Sequence, residues 1–186
     1  MKKTTARVLI TTKCNRSCPG CANEKFIKSD NMRTMHDISQ LRFYKDLIVT
    51  GGEPSLNAKA VYNFVARAWN YINGDIYMYS STLNVSNADH MELLQAMDGI
   101  TYTVHYEAKL KDIMMMVALG GYIESYKKLF KPSFTARLLL DSRLPEKFEL
   151  IRINHKAWDE VKWLEWKQDG ECPLPEHEDG YYYKVF

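Results

Sequence analysis

The sequence predicts an α/β protein built on a parallel β-sheet, in the form of an open, partial (βα)6 barrel. Short apolar runs alternate along its 186 residues with longer amphipathic stretches, which is the pattern of successive βα units. Two of the apolar runs, Leu47–Val49 and Leu138–Leu140, are continuous rather than alternating, as expected for strands covered on both faces. The length is typical of one domain and sufficient for a substantial core.

Six short runs are predicted to form the strands of this sheet. They are Val8–Thr12, Leu47–Thr50, Ile76–Ser80, Ile100–Val104, Thr135–Leu140 and Glu149–Ile153. In parallel α/β folds the loops that follow the carboxyl ends of the strands build the active site. Residues that come directly after these runs are therefore the first candidates for function.

Five helices are predicted around the strands. They span Thr34–Tyr44, Ala58–Ile72, Met91–Met97, Lys111–Phe130 and His155–Leu164. The second carries an apolar stripe at helical spacing, which includes Val61, Phe64 and Val65. Asp89 is predicted to cap the third helix, and the glycine pair 120–121 is predicted to weaken or split the fourth.

The whole chain, residues 1–186, is predicted to form a single domain, since no linker or repeat divides it. The segment Gly170–Phe186 contains Pro173, Pro175 and Gly180 and is predicted to be irregular chain that caps one end of the barrel or sheet. For its last residues, Tyr181–Phe186, the sequence leaves two interpretations open. They form either a docked edge strand or a lid over a substrate.

The composition is that of a soluble globular protein, with 46% hydrophobic and 26% charged residues. A net charge of +2 gives no strong indication of nucleic acid or of an acidic membrane as a partner. No apolar run approaches the ~20 residues that cross a bilayer. The apolar stretch after the basic start is only Val8–Ile10, too short for a secretory signal. These features predict a cytoplasmic protein without membrane contact.

Three of the four cysteines, Cys14, Cys18 and Cys21, lie within eight residues directly after the first predicted strand. Such clustering does not suit a disulfide framework, whereas thiolates are the usual ligands of iron–sulfur clusters. Three thiolates on one loop can hold three corners of a [4Fe-4S] cube and leave one iron open. A second molecule can bind at that iron, which favours an enzyme over an electron carrier.

The second predicted strand runs into a turn, Gly51-Gly52-Glu53-Pro54. Two glycines allow the backbone to approach a ligand closely and to adopt dihedral angles that side chains forbid. Glu53 would present a carboxylate toward a cation, and Pro54 would fix the turn. Because the turn and the cysteine loop both follow strands of a parallel sheet, we expect them to open on the same face.

The two motifs, Cys14-x3-Cys18-x2-Cys21 and Gly51-Gly52-Glu53-Pro54, resemble those of the radical S-adenosylmethionine (SAM) superfamily. The resemblance follows the element order of the whole chain, and it implies a radical SAM-like fold of minimal size. It also implies a [4Fe-4S] cluster on the three cysteines, with the amino and carboxylate groups of SAM on the open iron. The glycine-glycine-glutamate stretch would contact the SAM amino group.

In such enzymes reduction of the cluster cleaves SAM to methionine and a 5′-deoxyadenosyl radical, which abstracts hydrogen from a substrate. The resemblance therefore implies an oxidoreductase that needs an external one-electron reductant, such as a flavodoxin- or ferredoxin-like protein. By position in the family, Ser80, Thr103 and His105 would lie near SAM or the substrate. Specific catalytic residues and the substrate are not indicated.

Other chemistries remain open. Cys18-Pro-Gly-Cys21 alone resembles a dithiol redox pair. A zinc site would need a fourth ligand, and His36 or the distant Cys172 are not at zinc-finger spacing. Either site would make the protein a metal- or thiol-bearing interaction module rather than an enzyme.

Within the superfamily, Cys-Pro-Gly-Cys followed by Asn23 resembles the small enzymes that install glycyl radicals in partner proteins, such as the activase of anaerobic ribonucleotide reductase. Lys13 departs from that pattern, because those enzymes usually have glycine before the first cysteine. Gly20 departs from the aromatic residue that is common elsewhere in the superfamily. A protein partner and a nucleotide-precursor substrate, as in small deazaguanine-forming members, both remain open.

A few side chains are further candidates. Ser80, Ser81 and Thr82 end the third predicted strand. Thr103, His105 and Glu107 alternate along the end of the fourth, so all three could point to one side. Arg137, inside an apolar strand, would need a carboxylate partner if it is buried, either on a ligand or on an internal Asp or Glu.

Overall fold

The computed structural model describes residues 4–18, 21, 32–144, 153–165 and 176–183. These residues form an eight-stranded sheet in which every neighbouring pair is parallel, in the order β2-β8-β1-β3-β4-β5-β6-β7. The strands are β1 Thr5–Leu9, β2 Met32–Thr34, β3 Asp46–Thr50, β4 Ile76–Ser80, β5 Gly99–Val104, β6 Thr135–Asp141, β7 Glu160–Leu164 and β8 Glu178–Tyr182. The predicted α/β class with an open parallel sheet is confirmed, with more strands than the six expected.

Within the described residues, three α-helices and two short 3-10 helices connect the strands. They are α1 Ala58–Ala68, α2 Ala88–Gln95 and α3 Leu110–Leu129, with 3-10 helices at Ile38–Phe43 and Pro54–Asn57. In α1 the predicted stripe is buried, including Val61, Phe64 and Val65. Among the described helices, none combines the length and apolar character that a membrane span requires.

The two faces of the sheet differ in chemistry. Alternate residues of each central strand form a continuous apolar layer, with Val8, Val49, Met78 and Leu138 each fully buried in the core. The opposite face carries mostly polar and aromatic side chains. A cavity of about 570 Å³ lies on that face, toward the amino-terminal halves of the strands.

Four predicted strands agree with the structure to within a few residues, namely those that match β3, β4, β5 and β6. The first strand, predicted at Val8–Thr12, begins three residues earlier, at Thr5. Its early residues alternate in character, so they carry no continuous apolar signal. The predicted strand at Glu149–Ile153 falls almost wholly outside the described residues.

Three helix predictions need correction. His155–Leu164 is not helical, because its second half is β7, which pairs with β6. The region Thr34–Tyr44 holds the end of β2 and a 3-10 helix rather than an α-helix. The cap of α2 is the side chain of Asn87, which accepts hydrogen bonds from two backbone N–H groups, and not Asp89.

The glycine pair of α3 does not break the helix. A side chain at Gly120 would come within 3.3 Å of the Trp158 indole nitrogen, whereas one at Gly121 would meet open space. Gly120 thus allows Trp158, which is buried, to pack tightly against the helix. This packing stabilises α3 at the glycine pair, where the intrinsic helix propensity of the sequence is lowest.

The predicted irregular tail contains a strand. β8 pairs with β1 on one side and β2 on the other, so it lies inside the sheet and is neither an edge strand nor a lid. Tyr181 is buried, and its hydroxyl lies 2.6 Å from that of Tyr44. The remaining parts of the tail, 170–175 and 184–186, lie outside the described residues.

An ion pair fastens β8 to β1. Two guanidinium nitrogens of Arg7 donate to the Glu178 carboxylate at 2.5 and 3.1 Å, and Glu178 is only 4% exposed. The Arg7 guanidinium also lies 5.0 Å from the centre of the Tyr79 ring. Removing one partner of such a buried pair leaves an uncompensated charge.

Glu178→Gln is expected to lower the free energy of unfolding by about 3 kcal/mol, because it removes the carboxylate that compensates the charge of the buried Arg7 guanidinium. The matched control is Glu160→Gln, which breaks two partly exposed pairs, with Arg137 and with Lys162, and should cost less than about 1 kcal/mol. Urea unfolding of both variants measures the difference. Equal losses would show that the Arg7–Glu178 pair does not stabilise the sheet.

Candidate metal centre

Four neighbouring strands bring the sequence motifs to one edge of the sheet. β1, β3, β4 and β5 are adjacent and parallel, so their carboxyl ends meet there. The cysteine loop follows β1 and the Gly51–Pro54 turn follows β3. Ser80 ends β4, and His105 follows β5. The expectation that the two motifs open on the same face is therefore met by the strand order.

The glycine turn packs against the chain that leads into Cys14. The Gly52 N–H donates to the Thr11 carbonyl at 2.7 Å, and the Glu53 N–H donates to the Lys13 carbonyl at 2.8 Å. Gly51 has a φ of +138°, and a Cβ on it would lie 2.5 Å from the Thr11 carbonyl oxygen. A Cβ on Gly52 would overlap the Lys13 carbonyl. The close approach that the glycines allow is thus to the cysteine loop itself.

Glu53 is 1% exposed, and its carboxylate ties the turn to the end of β4. One oxygen accepts from the Ser55 N–H at 3.0 Å and from the Ser80 hydroxyl at 2.7 Å. The other accepts from the N–H and the hydroxyl of Ser81 at 2.8 and 3.0 Å. These four bonds fix the carboxylate in place. Pro54 is buried at the start of the 3-10 helix that Glu53 caps.

Arg16 fastens the cysteine loop to two other elements. Its guanidinium donates to the Ser81 carbonyl at 3.1 Å and pairs with Asp112, in the first turn of α3, at 2.9 Å. Arg16 is 10% exposed, so the contact is well shielded from solvent. Sequence reasoning missed both residues. The only indication of Arg16 in the sequence was that a charged residue lies between two of the clustered cysteines. Asp112 is distant in sequence and carried no such indication.

The three cysteines are free thiols that lie near one another. Burial raises the pKa of Cys14, and the nearby Glu53 and Cys21 add to the increase. Burial raises the pKa of Cys18 further, with Glu107, Cys21 and Cys14 contributing. Both thiols therefore hold their protons at neutral pH, and a metal that binds them must displace those protons.

One further group of metal-ligating side chains lies at this edge. A donor atom from each of Cys18, His105 and Glu107 lies within 4.8 Å of the other two. Burial lowers the pKa of His105, so its imidazole is neutral near pH 7. In the part of the chain that the structure describes, this is the one such group. His36 is exposed and does not belong to this group. The alternative of a zinc site completed by His36 therefore gains no support.

The remaining residues that the sequence predicted as functional are not part of this group of metal-ligating side chains. Thr103 lies within β5, two residues before His105. Arg137 is half-exposed and pairs with an internal carboxylate, that of Glu160, at 3.1 Å. It lines the cavity at the other end of the strands, which contains none of the residues predicted to bind a metal or cofactor. Cys172 lies outside the described residues.

The donor set fits an iron–sulfur cluster. One loop supplies three thiols, and the Glu107 carboxylate, which faces Cys18, has both oxygens buried with no hydrogen-bond partner within the described part of the chain. No curated protein gives a match to the chain. Residues 4–119, more than half of the chain, match the model of a family described as a 4Fe-4S single cluster domain. The chain therefore belongs to this family and is an iron–sulfur protein.

Proposed function

We propose that the protein is a radical SAM enzyme, an oxidoreductase that reductively cleaves SAM and abstracts hydrogen from a substrate. The matched family is found in radical SAM enzymes. The observation that carries the proposal is the joining of the cysteine loop to the glycine-glycine-glutamate turn. Two backbone hydrogen bonds, from Gly52 and from Glu53, hold these two motifs together.

The chain's own residues would position the cofactors. Cys14, Cys18 and Cys21 would hold a [4Fe-4S] cluster, and the Gly51–Pro54 turn would lie beside the SAM amino group. When bound, these cofactors supply one-electron reduction and a radical able to remove hydrogen. An external flavodoxin- or ferredoxin-like protein would provide the electron.

Glu53 has a specific part in this proposal. Its carboxylate is buried and held by four hydrogen bonds, so its negative charge is fixed in place before any ligand binds. A fixed charge costs little reorganisation when it meets a cation. Contact between this carboxylate and the SAM ammonium would be charge-assisted and worth about 1.5–3 kcal/mol, with the ammonium taking the place of one of the serine hydroxyl donors.

A second candidate is the activation of a partner protein, in which the abstracted hydrogen comes from a protein chain. One observation favours it. Leu110, Met114 and Val117 form an exposed apolar stripe on α3, which begins three residues after Glu107. Exposed apolar surface next to a reactive site is typical of a protein interaction surface.

The test is anaerobic incubation of the reduced protein with SAM, followed by mass spectrometry of the products. We expect 5′-deoxyadenosine and methionine, with slow cleavage in the absence of substrate. Glu53→Gln should weaken SAM binding about tenfold or more while the cluster spectrum persists. Ser81→Ala is the matched control, because it removes one donor to the same carboxylate and leaves the charge.

Two results would contradict the proposal. One is an intact, reducible cluster with bound SAM that yields no 5′-deoxyadenosine. The other is equal SAM affinity of wild type and Glu53→Gln by calorimetry, which would limit Glu53 to a structural role.

A further inference from the structure

Glu107 carries a buried carboxylate that its surroundings do not satisfy. Both oxygens are shielded from solvent, and neither has a hydrogen-bond partner among the described residues. The Cys18 thiol faces the carboxylate and interacts with it, but a thiol is only a weak donor and does not compensate the charge of a buried carboxylate. An unpartnered buried charge is costly, so such a group normally pairs with a cation or a metal.

The nearby cationic side chains are bound elsewhere. Arg16 is held by Ser81 and Asp112 through Nη2, and its Nε is buried with no hydrogen-bond partner among the described residues. Arg143 makes a bidentate pair with Asp141, with bonds of 2.8 and 2.6 Å. Among the described residues, no cationic side chain pairs with Glu107, and a bound cation would supply the missing positive charge.

The position of Glu107 indicates what that charge is. Its carboxylate lies within 4.8 Å of the Cys18 sulfur, on the loop that follows β5. The three cysteine thiolates can ligate three irons of a cube, and the fourth iron lacks a protein ligand on the cysteine loop. A carboxylate can ligate iron, and its flexible side chain can be displaced by a chelating ligand.

We propose that Glu107 is a fourth protein ligand of the iron–sulfur cluster, bound to the iron that the cysteines leave open until SAM displaces it. This inference rests on the proposed function, since it assigns the resting state of the same site. It explains why a carboxylate is buried at this edge with no ion-pair partner among the described residues. A bound Glu107 carboxylate would also protect the open iron from being lost when SAM is absent.

The experiment uses the full chain, labelled with ¹³C-glutamate, reconstituted with iron and sulfide and then reduced. Electron–nuclear double resonance detects ¹³C atoms close to the paramagnetic cluster. We expect a ¹³C coupling in the wild type that is absent from Glu107→Gln, and that disappears when SAM is added and the sample is frozen while the cluster is still reduced and paramagnetic. Glu160→Gln, an exposed glutamate at the other end of the strands, should keep the coupling.

Iron retention gives a second measurement that does not depend on catalysis. Without SAM, Glu107→Gln should lose one iron per cluster to a chelator about tenfold faster than the wild type. SAM should remove most of that difference, because it would occupy the same iron in both proteins.

The outcomes separate this inference from the proposed function. A wild-type cluster that cleaves SAM but shows no ¹³C coupling overturns the role of Glu107 alone. A coupling that persists in Glu107→Gln does the same, since another glutamate would be the source. Retention of a single iron or zinc ion in Cys14→Ala would mean a mononuclear site at Cys18, His105 and Glu107, and would overturn both.

Discussion

Replacing Cys18 with alanine is expected to abolish the broad visible absorbance of the cluster and most of the bound iron. Cys18 is the middle one of the three proposed ligands on the loop, and it lies near Cys14, Cys21 and Glu107. A cube held by only two thiolates has too few protein ligands to persist. Iron and sulfide analysis of anaerobically purified protein measures the loss, and Cys14→Ala and Cys21→Ala should behave alike.

Cys172→Ala is the control for this result, because Cys172 lies far from the loop in sequence. It should retain the full iron content and the same spectrum. Oxygen should bleach the wild type and Cys172→Ala equally. A Cys18→Ala protein with its complete cluster would refute the assignment of the three ligands.

Gly52→Ala is expected to displace the cysteine loop and to reduce cluster content several-fold. A methyl group on Gly52 would overlap the Lys13 carbonyl, to which the neighbouring Glu53 N–H donates. Backbone atoms cannot move aside as a flexible side chain can, so the turn and the loop must separate. We expect the free energy of unfolding to fall by at least about 2 kcal/mol, which is the size of other severe steric changes.

The matched control for Gly52→Ala is Gly121→Ala. The added methyl group on Gly121 meets no other atom within 4 Å, and it lies in α3. Alanine there should raise the free energy of unfolding by up to about 1 kcal/mol and leave the cluster unchanged. If Gly52→Ala binds as much iron as Gly121→Ala, the contact between the two motifs has no part in holding the cluster.

The strands that sequence reasoning located share one property: they lie in the middle of the sheet. β3 and β6 are covered by other parts of the protein, and their sequences therefore contain continuous apolar runs, such as Leu138–Leu140. The sequence of β7 contains no such apolar run, because β7 is an outer strand whose last three side chains, Lys162–Leu164, are exposed. Its pairing with β6 comes from tertiary contact, which local residue pattern does not report.

β8 was missed for a different reason. It begins with two carboxylates and a glycine at Glu178–Gly180, which are poor strand formers. What favours it is long-range, namely the free edge of β1 and the charge of Arg7. Such a partner becomes evident only when the fold has placed the two segments side by side.

The site could be predicted only in part, because some of its residues form local sequence patterns and others meet only in the folded structure. Cysteine spacing and the glycine turn are local patterns, so Cys14, Cys18, Cys21 and the turn 51–54 could be selected from the sequence. The bonds from Ser81 to Glu53 and from Arg16 to Asp112 join residues that are far apart along the chain. They depend on the strand order, which no single motif encodes.

The position of β8 bears on the order in which the protein can be completed during synthesis. β1 and the cysteine loop leave the ribosome early, but the strand that covers one side of β1 follows much later, with Arg7 and Glu178 separated by 171 positions. Until then β1 exposes unpaired backbone groups on one side, which makes a growing chain prone to aggregation. Cluster insertion into a finished site must therefore wait for nearly all of the described chain. Truncation before β8 should yield a polypeptide that contains every cysteine ligand and still fails to hold them in a stable sheet.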